Sequence, residues 1–204
     1  MTEPILSFTG NYTFLSNFYP SQVRLDGVVY PTLEHAFQAA KVPRGDARVP
    51  FRNAPTAGKA KCLGRSCQLR ADWEAVKFDI MRDLVRDKFT NATLRAKLLA
   101  TGDATLVEEN TWGDRTWGQV DGVGENWLGR LVMQVRGELQ PTSMQVAAEA
   151  LHLAANSITR ANDRPTDLTL LSDARKQVTE ACFMASKALS SAYNDAIKEA
   201  NGHE

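Results

Sequence analysis

The sequence predicts an α/β chain of the α+β kind, largely helical around a small set of short strands, followed by a helical hairpin. Three observations predict it. Residues 5–31 are rich in aromatic and β-branched residues and are broken by Gly10, Asn11, Pro20 and Asp26–Gly27. Between 33 and 139, apolar residues recur at three- and four-residue spacing in several separate stretches. After Gln140–Pro141, tryptophan disappears, one glycine remains and alanine dominates.

Each element has its own signal. A strand is expected near 5–8, and a hairpin turning at Asp26–Gly27 should pair 22–25 with 28–30. Pro31 ends that strand, and Thr32 can cap a helix over 33–41. Four prolines or glycines between 42 and 55 predict an irregular loop. A short helix follows at 56–66. Asp72 can cap a longer one, 73–89, with Val76, Ile80, Leu84, Val85 and Phe89 inward. Another runs from the cap Asn91 to Gly102. Residues 105–110 read as a strand, 111–127 as a loop, and 127–139 as a helix with Leu128, Leu131, Val132 and Val135 inward. Beyond 142, two helices are expected, about 143–160 and 167–200. In the second, Leu171, Ala174, Val178, Ala181, Ala185, Ala188 and Ala192 form a heptad-like seam of mostly small residues. The predicted division is therefore a domain over 1–141 and a helical extension over 142–204 that acts in self-assembly.

Composition narrows the function. Of 204 residues, 43% are apolar, enough for a sizeable core. Twenty-four basic residues balance 24 acidic ones, which argues against a nucleic-acid coat protein or a polybasic membrane binder. Three cysteines without a CxxC and three histidines predict neither a disulfide framework nor a structural zinc site. The first ten residues lack the basic start and apolar run of a signal peptide, and no window nears 18 apolar residues. The expectation is a cytoplasmic protein with no membrane partner.

Two stretches carry candidate chemistry. In "PTLEHAFQAAK" (31–41), Glu34, Gln38 and Lys41 fall at i, i+4 and i+7 and make one polar stripe. The stripe is either the wet side of a surface helix or the wall of a pocket. Glu34 sits in the first turn, where the helix dipole favours a carboxylate. His35, with no partner in sequence, reads as a core or surface residue rather than a ligand. In 111–129, Trp112, Trp117 and Trp127 alternate with glycines and with Asp114, Asp121, Glu125 and Asn126. Glycine backbone can approach a ligand closely, and tryptophan offers a flat face for a base or sugar. The same spacing also suits a surface loop whose tryptophans plug the core. "GVGENW" is not a dinucleotide fingerprint, since Trp127 occupies the third glycine position. Cys62 and Cys67 have no neighbouring histidine in sequence, which favours inert thiols over nucleophiles.

Six ordered blocks then resemble one family: "FLSNFYP", "EHAFQAAK", "LRADWEAVKFDIMRDLVRDKF", "LLATGDATLVEEN", "WGDRTWG" and "GVGENWLGRLVMQVRGEL". Together, over about 5–140, they are similar to the NADAR superfamily and its YbiA-like N-glycosidases. The resemblance implies a compact, largely helical α/β-type fold and hydrolysis of N-glycosidic bonds without metal or redox cofactor. It implies a substrate that is either a riboflavin-pathway phosphoribosylamino-pyrimidine or an ADP-ribosylated guanine, free or in nucleic acid. Catalytic positions carry over to Glu34, Asp114 and Trp117. Asn17, Phe18, Lys41, Gly118, Gly122, Gly124 and Asn126 would line the same pocket, Gln38 would join them if the stripe faces it, and Arg70 or Arg115 would join Lys41 on phosphate. The chain departs from the family pattern at Leu33 and Val123. A non-catalytic nucleotide-binding module and an oligomeric scaffold are the competing readings.

Overall fold

The computed structural model describes residues 2–164 and 166–201. They form two compact units, divided between Leu139 and Gln140.

The first unit begins with an isolated bridge at Ile5 and a 3-10 helix, Gly10–Leu15. The hairpin follows as predicted: β1 (Val23–Leu25) pairs antiparallel with β2 (Val28–Tyr30), Leu25 opposite Val28. Asp26 and Gly27, at φ 52° and 79°, supply the two left-handed residues that a tight hairpin turn requires. Helix α1 (Leu33–Ala39) starts at Thr32, whose hydroxyl accepts from the His35 amide. The loop expected over 42–55 contains a 3-10 turn and the single-turn helix α2 (Val49–Arg52), whose Pro50 suits a first turn where no amide donor is needed. Helices α3 (Ala57–Ser66), α4 (Trp73–Lys88), α5 (Ala92–Leu99) and α6 (Trp127–Leu139) fall where apolar spacing predicts them.

Several details differ from expectation. Asp72 makes no cap hydrogen bond, because its carboxylate takes the Arg70 guanidinium instead. The buried face of α4 is rotated: Leu84, Val85 and Phe89 are inside, but Trp73, Met81 and Lys88 are buried where Val76 and Ile80 are only half-buried. The strands expected at 5–8 and 105–110 shrink to a parallel bridge between Ile5 and Leu106. Their backbone groups find other partners. The Glu108 amide donates to Asn126 Oδ1 at 3.1 Å, and the Gln119 amide donates to the Glu108 carbonyl at 3.0 Å.

Helix α1 is the centre of this unit. It packs against α2, α3, α4 and both strands, and all seven of its residues are buried. Its polar side chains therefore need partners. His35 Nε2–H donates to the Ala54 carbonyl at 3.1 Å, which leaves Nδ1 to accept the Thr32 hydroxyl proton at 2.7 Å. His35 is a core residue, one of the two places its sequence context left open.

The second unit is the predicted pair of helices, α7 (Ser143–Asp163) and α8 (Leu168–Asn201). Thr142 and Gln145 form a reciprocal capping box at the start of α7. The two helices pack on alanines spaced by seven, Ala147, Ala154 and Ala161 on one and Ala174, Ala181 and Ala188 on the other. The predicted seam is thus half right: Leu171 and Ala192 stay exposed. No helix among the described residues is long and apolar enough to cross a membrane.

Asn126 is the bracket of the first unit. It sits at φ 52°, and its buried amide both accepts from the Glu108 amide and donates to the Leu106 carbonyl at 2.8 Å. Asn126→Ala removes both bonds and places an alanine in a left-handed conformation. The expected loss is about 2–4 kcal/mol of stability, measured by urea unfolding. A change under about half a kcal/mol would show that the bracket contributes little.

Candidate active site

The polar stripe of α1 does not face water. Glu34 and Gln38 are each 4% exposed, yet both line a cavity of about 730 Å³. Lys41, just past the helix, lines it too. Glu34 and Gln38 are buried because α3 and α4 pack against α1, while Lys41 stays half-buried.

The stripe is internally wired. Gln38 Nε2 donates to Glu34 Oε1 at 2.8 Å, an i,i+4 bond along the helix. Lys41 Nζ donates to the Gly64 carbonyl at 3.1 Å. Gly64 itself must lack a side chain: a Cβ there would lie 1.7 Å from Gln38 Oε1. One residue of α3 thus seats Gln38 by having no side chain and Lys41 by its carbonyl. Burial raises the Glu34 carboxyl above its ordinary range, while the Gln38 hydrogen bond and Lys61 and Lys41 pull the other way. Burial lowers the Lys41 ammonium.

Asp114 reaches the same cavity from the loop before α6. Its Oδ1 accepts the amides of Thr116 and Trp117 at 3.1 and 2.9 Å, a local turn that fixes the carboxylate. Asn110 holds the turn from behind, donating to the Asp114 carbonyl at 2.7 Å and accepting the Asp114 amide at 3.0 Å. Trp117 forms part of the wall, its ring edge-on to Phe37 at 5.1 Å and tilted against Phe78 at 5.3 Å. Asn17 and Phe18 line the opposite side, following the 3-10 helix. Lys88, buried at the end of α4, donates to the Ser16 carbonyl at 2.7 Å and holds that segment in place.

Other predicted site residues lie elsewhere. Arg70 is outside the lining, forked onto Asp72, and only its backbone approaches the stripe through a 2.7 Å bond to the Lys41 carbonyl. Arg115 is also absent from the wall. Gly118, Gly122, Gly124 and Asn126 do not border the cavity. A Cβ on Gly118 would meet the Glu108 carbonyl at 2.2 Å, and one on Gly124 the Gly118 carbonyl at 2.4 Å. These glycines let the loop fold tightly on itself rather than presenting bare backbone to a ligand. Gly122 donates its amide to the Glu109 carboxylate at 3.1 Å. Of the three loop tryptophans, Trp127 packs on Phe78 and Arg130, away from the cavity.

The wall also holds residues that the sequence reading did not single out. Lys61 and Arg65 come from α3, Lys77, Trp73 and Met81 from α4, and Glu108 from the bridge segment. Their signal was present for α3, where Lys61 and Arg65 stand four apart on one helix face. For Glu108 there was none beyond an acid beside an apolar run. Lys61 Nζ lies between two aromatic rings at the rim, 5.6 Å from Phe18 and 5.5 Å from Trp112, the latter 58% exposed. The cavity therefore has three carboxylates, Glu34, Glu108 and Asp114, beside the cations Lys41, Lys61, Arg65 and Lys77 and flat aromatic walls. That combination suits a ligand with a planar part, a sugar and a negative group.

The Gln38 contact makes a direct prediction. Gly64→Ala pushes Gln38 off Glu34, and Gln38→Leu removes the donor. In both variants the Glu34 carboxyl should titrate at higher pH than in the parent, read by 13C NMR of glutamate-labelled protein. An unchanged midpoint in both would mean that Gln38 does not tune Glu34.

Residues 7–140 match the NADAR domain family. The match ends one residue past the first compact unit. The chain is 40% identical over 146 residues to the N-glycosidase YbiA of Escherichia coli, covering 68% of this chain and 91% of that protein. It is equally identical over 146 residues to a riboflavin biosynthesis protein of Vibrio vulnificus, of whose length it spans 40%. An N-glycosidase of Nostoc punctiforme is 40% identical over 136 residues, 63% of this chain and 86% of that one. The NMR structure of E. coli YbiA superposes with a TM-score of 0.60, covering 68% of this chain and 86% of that one at 40% identity. The chain belongs to the NADAR domain family, in its YbiA-like N-glycosidase branch.

Proposed function

We propose that the chain hydrolyses the N-glycosidic bond of a phosphorylated ribosyl or ADP-ribosyl substrate. The observation that carries this reading is the stripe itself: a buried carboxylate at Glu34 and a half-buried ammonium at Lys41, both lining a single cavity. At helical rise the seven-residue step from one to the other spans roughly 10 Å, the scale of a ribose with its phosphate. The scissile carbon would sit near Glu34, and the phosphate near Lys41 with Lys61 or Arg65.

N-glycosidic cleavage develops positive charge on the sugar, so nearby carboxylates lower its barrier. Glu34 and Asp114 serve that end, one orienting water and the other stabilising the cationic sugar. Trp117 offers a flat wall to the base or ribose. The relatives named for riboflavin biosynthesis favour a phosphoribosylamino-pyrimidine. An ADP-ribosylated guanine is the second candidate, and the exposed Trp112 beside Lys61 favours a further planar group at the rim.

The test is a panel of phosphoribosylamino-pyrimidine, ADP-ribosylated guanine nucleoside and their dephosphorylated analogues, with chromatography for released base. Glu34→Gln should lower turnover by about a hundredfold or more, with little change in melting temperature. Lys41→Met should weaken binding mainly for the phosphorylated member of each pair. Normal turnover in the Gln variant, or equal losses on both analogues in the Met variant, would sink the respective assignment.

We infer a separate role for the second unit, pairing with a second copy of the chain. Met144, Leu151 and Ile158, spaced by seven beside the alanine seam of α7, stay 49%, 46% and 44% exposed. Large apolar residues at heptad spacing left open by α8 favour a further helical partner. Leu151→Glu with Ile158→Glu in the full chain should reduce the mass found by light scattering and leave the helical circular dichroism unchanged. A parent that is already monomeric, or a variant of unchanged mass, would rule this out.

A further inference from the structure

We propose that Glu108 is the proton donor to the departing base in the N-glycosidic cleavage. The inference rests on the reading above and adds a residue to it.

Glu108 stands on the cavity wall with its backbone held from both sides. Its amide donates to the buried Asn126 side chain at 3.1 Å, and its carbonyl accepts the Gln119 amide at 3.0 Å. Gly118 has no room for a Cβ because it lies against that same carbonyl. The backbone there is anchored by these bonds, yet the Glu108 carboxyl takes no hydrogen bond from the described residues. The two other carboxyls of the cavity do have donors. Gln38 donates to Glu34, and the Thr116 and Trp117 amides donate to Asp114. Donors favour the ionised form, and their lack favours the acid. Of the three, Glu108 is the one that no donor among the described residues holds in the ionised form.

Its surroundings agree. Burial and then the neighbouring Asp114 push the Glu108 carboxyl up to about 7, with Glu34 acting in the same direction. Lys61 and Lys88 oppose the shift. Lys88 offers only partial compensation, since burial lowers its own ammonium to about 7. Glu108 thus stays an acid at a pH where an ordinary glutamate is ionised, the condition for general-acid work near neutrality.

The step balances as follows. The C1′–N bond breaks, and its electron pair goes to nitrogen, which takes the proton from Glu108. Water oxygen bonds to C1′, and the water proton passes to Glu34. Proton exchange with solvent returns Glu108 to the acid and Glu34 to the carboxylate. The net change is addition of water across the C1′–N bond.

The experiment follows kcat against pH on the phosphoribosylamino-pyrimidine for the parent, Glu108→Gln and Glu108→Asp, with Glu34→Gln as control. The parent should lose activity as pH rises through about 7, where Glu108 ionises. Glu108→Gln should lower kcat by about a hundredfold below that pH and lose the falling limb. Glu108→Asp should restore part of the rate and the limb. In the Gln variant, stability should move opposite to activity. A carboxyl raised from 4.5 to about 7 on folding makes the parent less stable as pH rises through that window, so at pH 8 the Gln variant should melt at or above the parent temperature. Glu108→Gln with normal kcat, with the falling limb intact, or with a pH-independent loss and a lower melting temperature overturns the proposal. Full activity in Glu108→Gln beside an inactive Glu34→Gln overturns it alone. A parent that cleaves no member of the panel overturns the N-glycosidase reading, and this proposal with it.

Discussion

Burial of the short helix α1 is the constraint on which the rest of the first unit depends. A seven-residue helix has little stability of its own, so packing must hold it. Two strands and three helices surround it, and each polar side chain it carries is met on a defined side. His35 is tied to Thr32 and Ala54, and Glu34 to Gln38. The same burial that makes these bonds necessary raises the Glu34 carboxyl. The fold and the reactivity of the site are therefore consequences of one desolvated helix.

The carboxylates of the cavity are differentiated by their donors rather than by their type. Asp114 lies in a turn whose amides point at it, Glu34 has a single side-chain amide, and Glu108 has no donor among the described residues. The glycine-rich loop makes this possible. Gly118 and Gly124 allow backbone strands of the loop to touch, which brings Glu108 and Asp114 to one wall while Asn126 holds the bridge segment behind them. Its glycines act in packing, and the cations of the cavity wall are side chains of α3, of α4 and of the end of the stripe.

The second unit obeys simpler rules. Two helices approach closely because alanines recur every seven residues on both. Small residues permit contact but bury little apolar area, and the larger side chains beside the seam remain uncovered. This accounts for a hairpin that forms from local sequence yet leaves apolar surface available.

Much was legible in the sequence where the cause is local. The hairpin at Asp26–Gly27, the caps at Thr32 and Asn91, the helices over 57–66, 73–88 and 127–139, and the alanine hairpin each rest on turn chemistry, capping or periodicity within a few residues. The stripe Glu34–Gln38–Lys41 was visible as a spacing, but whether it met water or a cavity was not. That choice belongs to α3 and α4, which cover it from positions about 20 to 50 residues away in sequence. For the same reason the sequence could not divert Asp72 from its cap to Arg70, turn Arg70 away from the cavity, or distinguish glycines that cradle a ligand from glycines that admit a neighbouring carbonyl. Glu108 joined the site only when Asn126 and Gln119 bound its backbone from across the loop. Sequence by itself determined the elements and the chemistry available to them; tertiary structure decided which carboxyls lost their water and which found a donor, because desolvation and hydrogen-bond geometry depend on neighbours brought together only by folding.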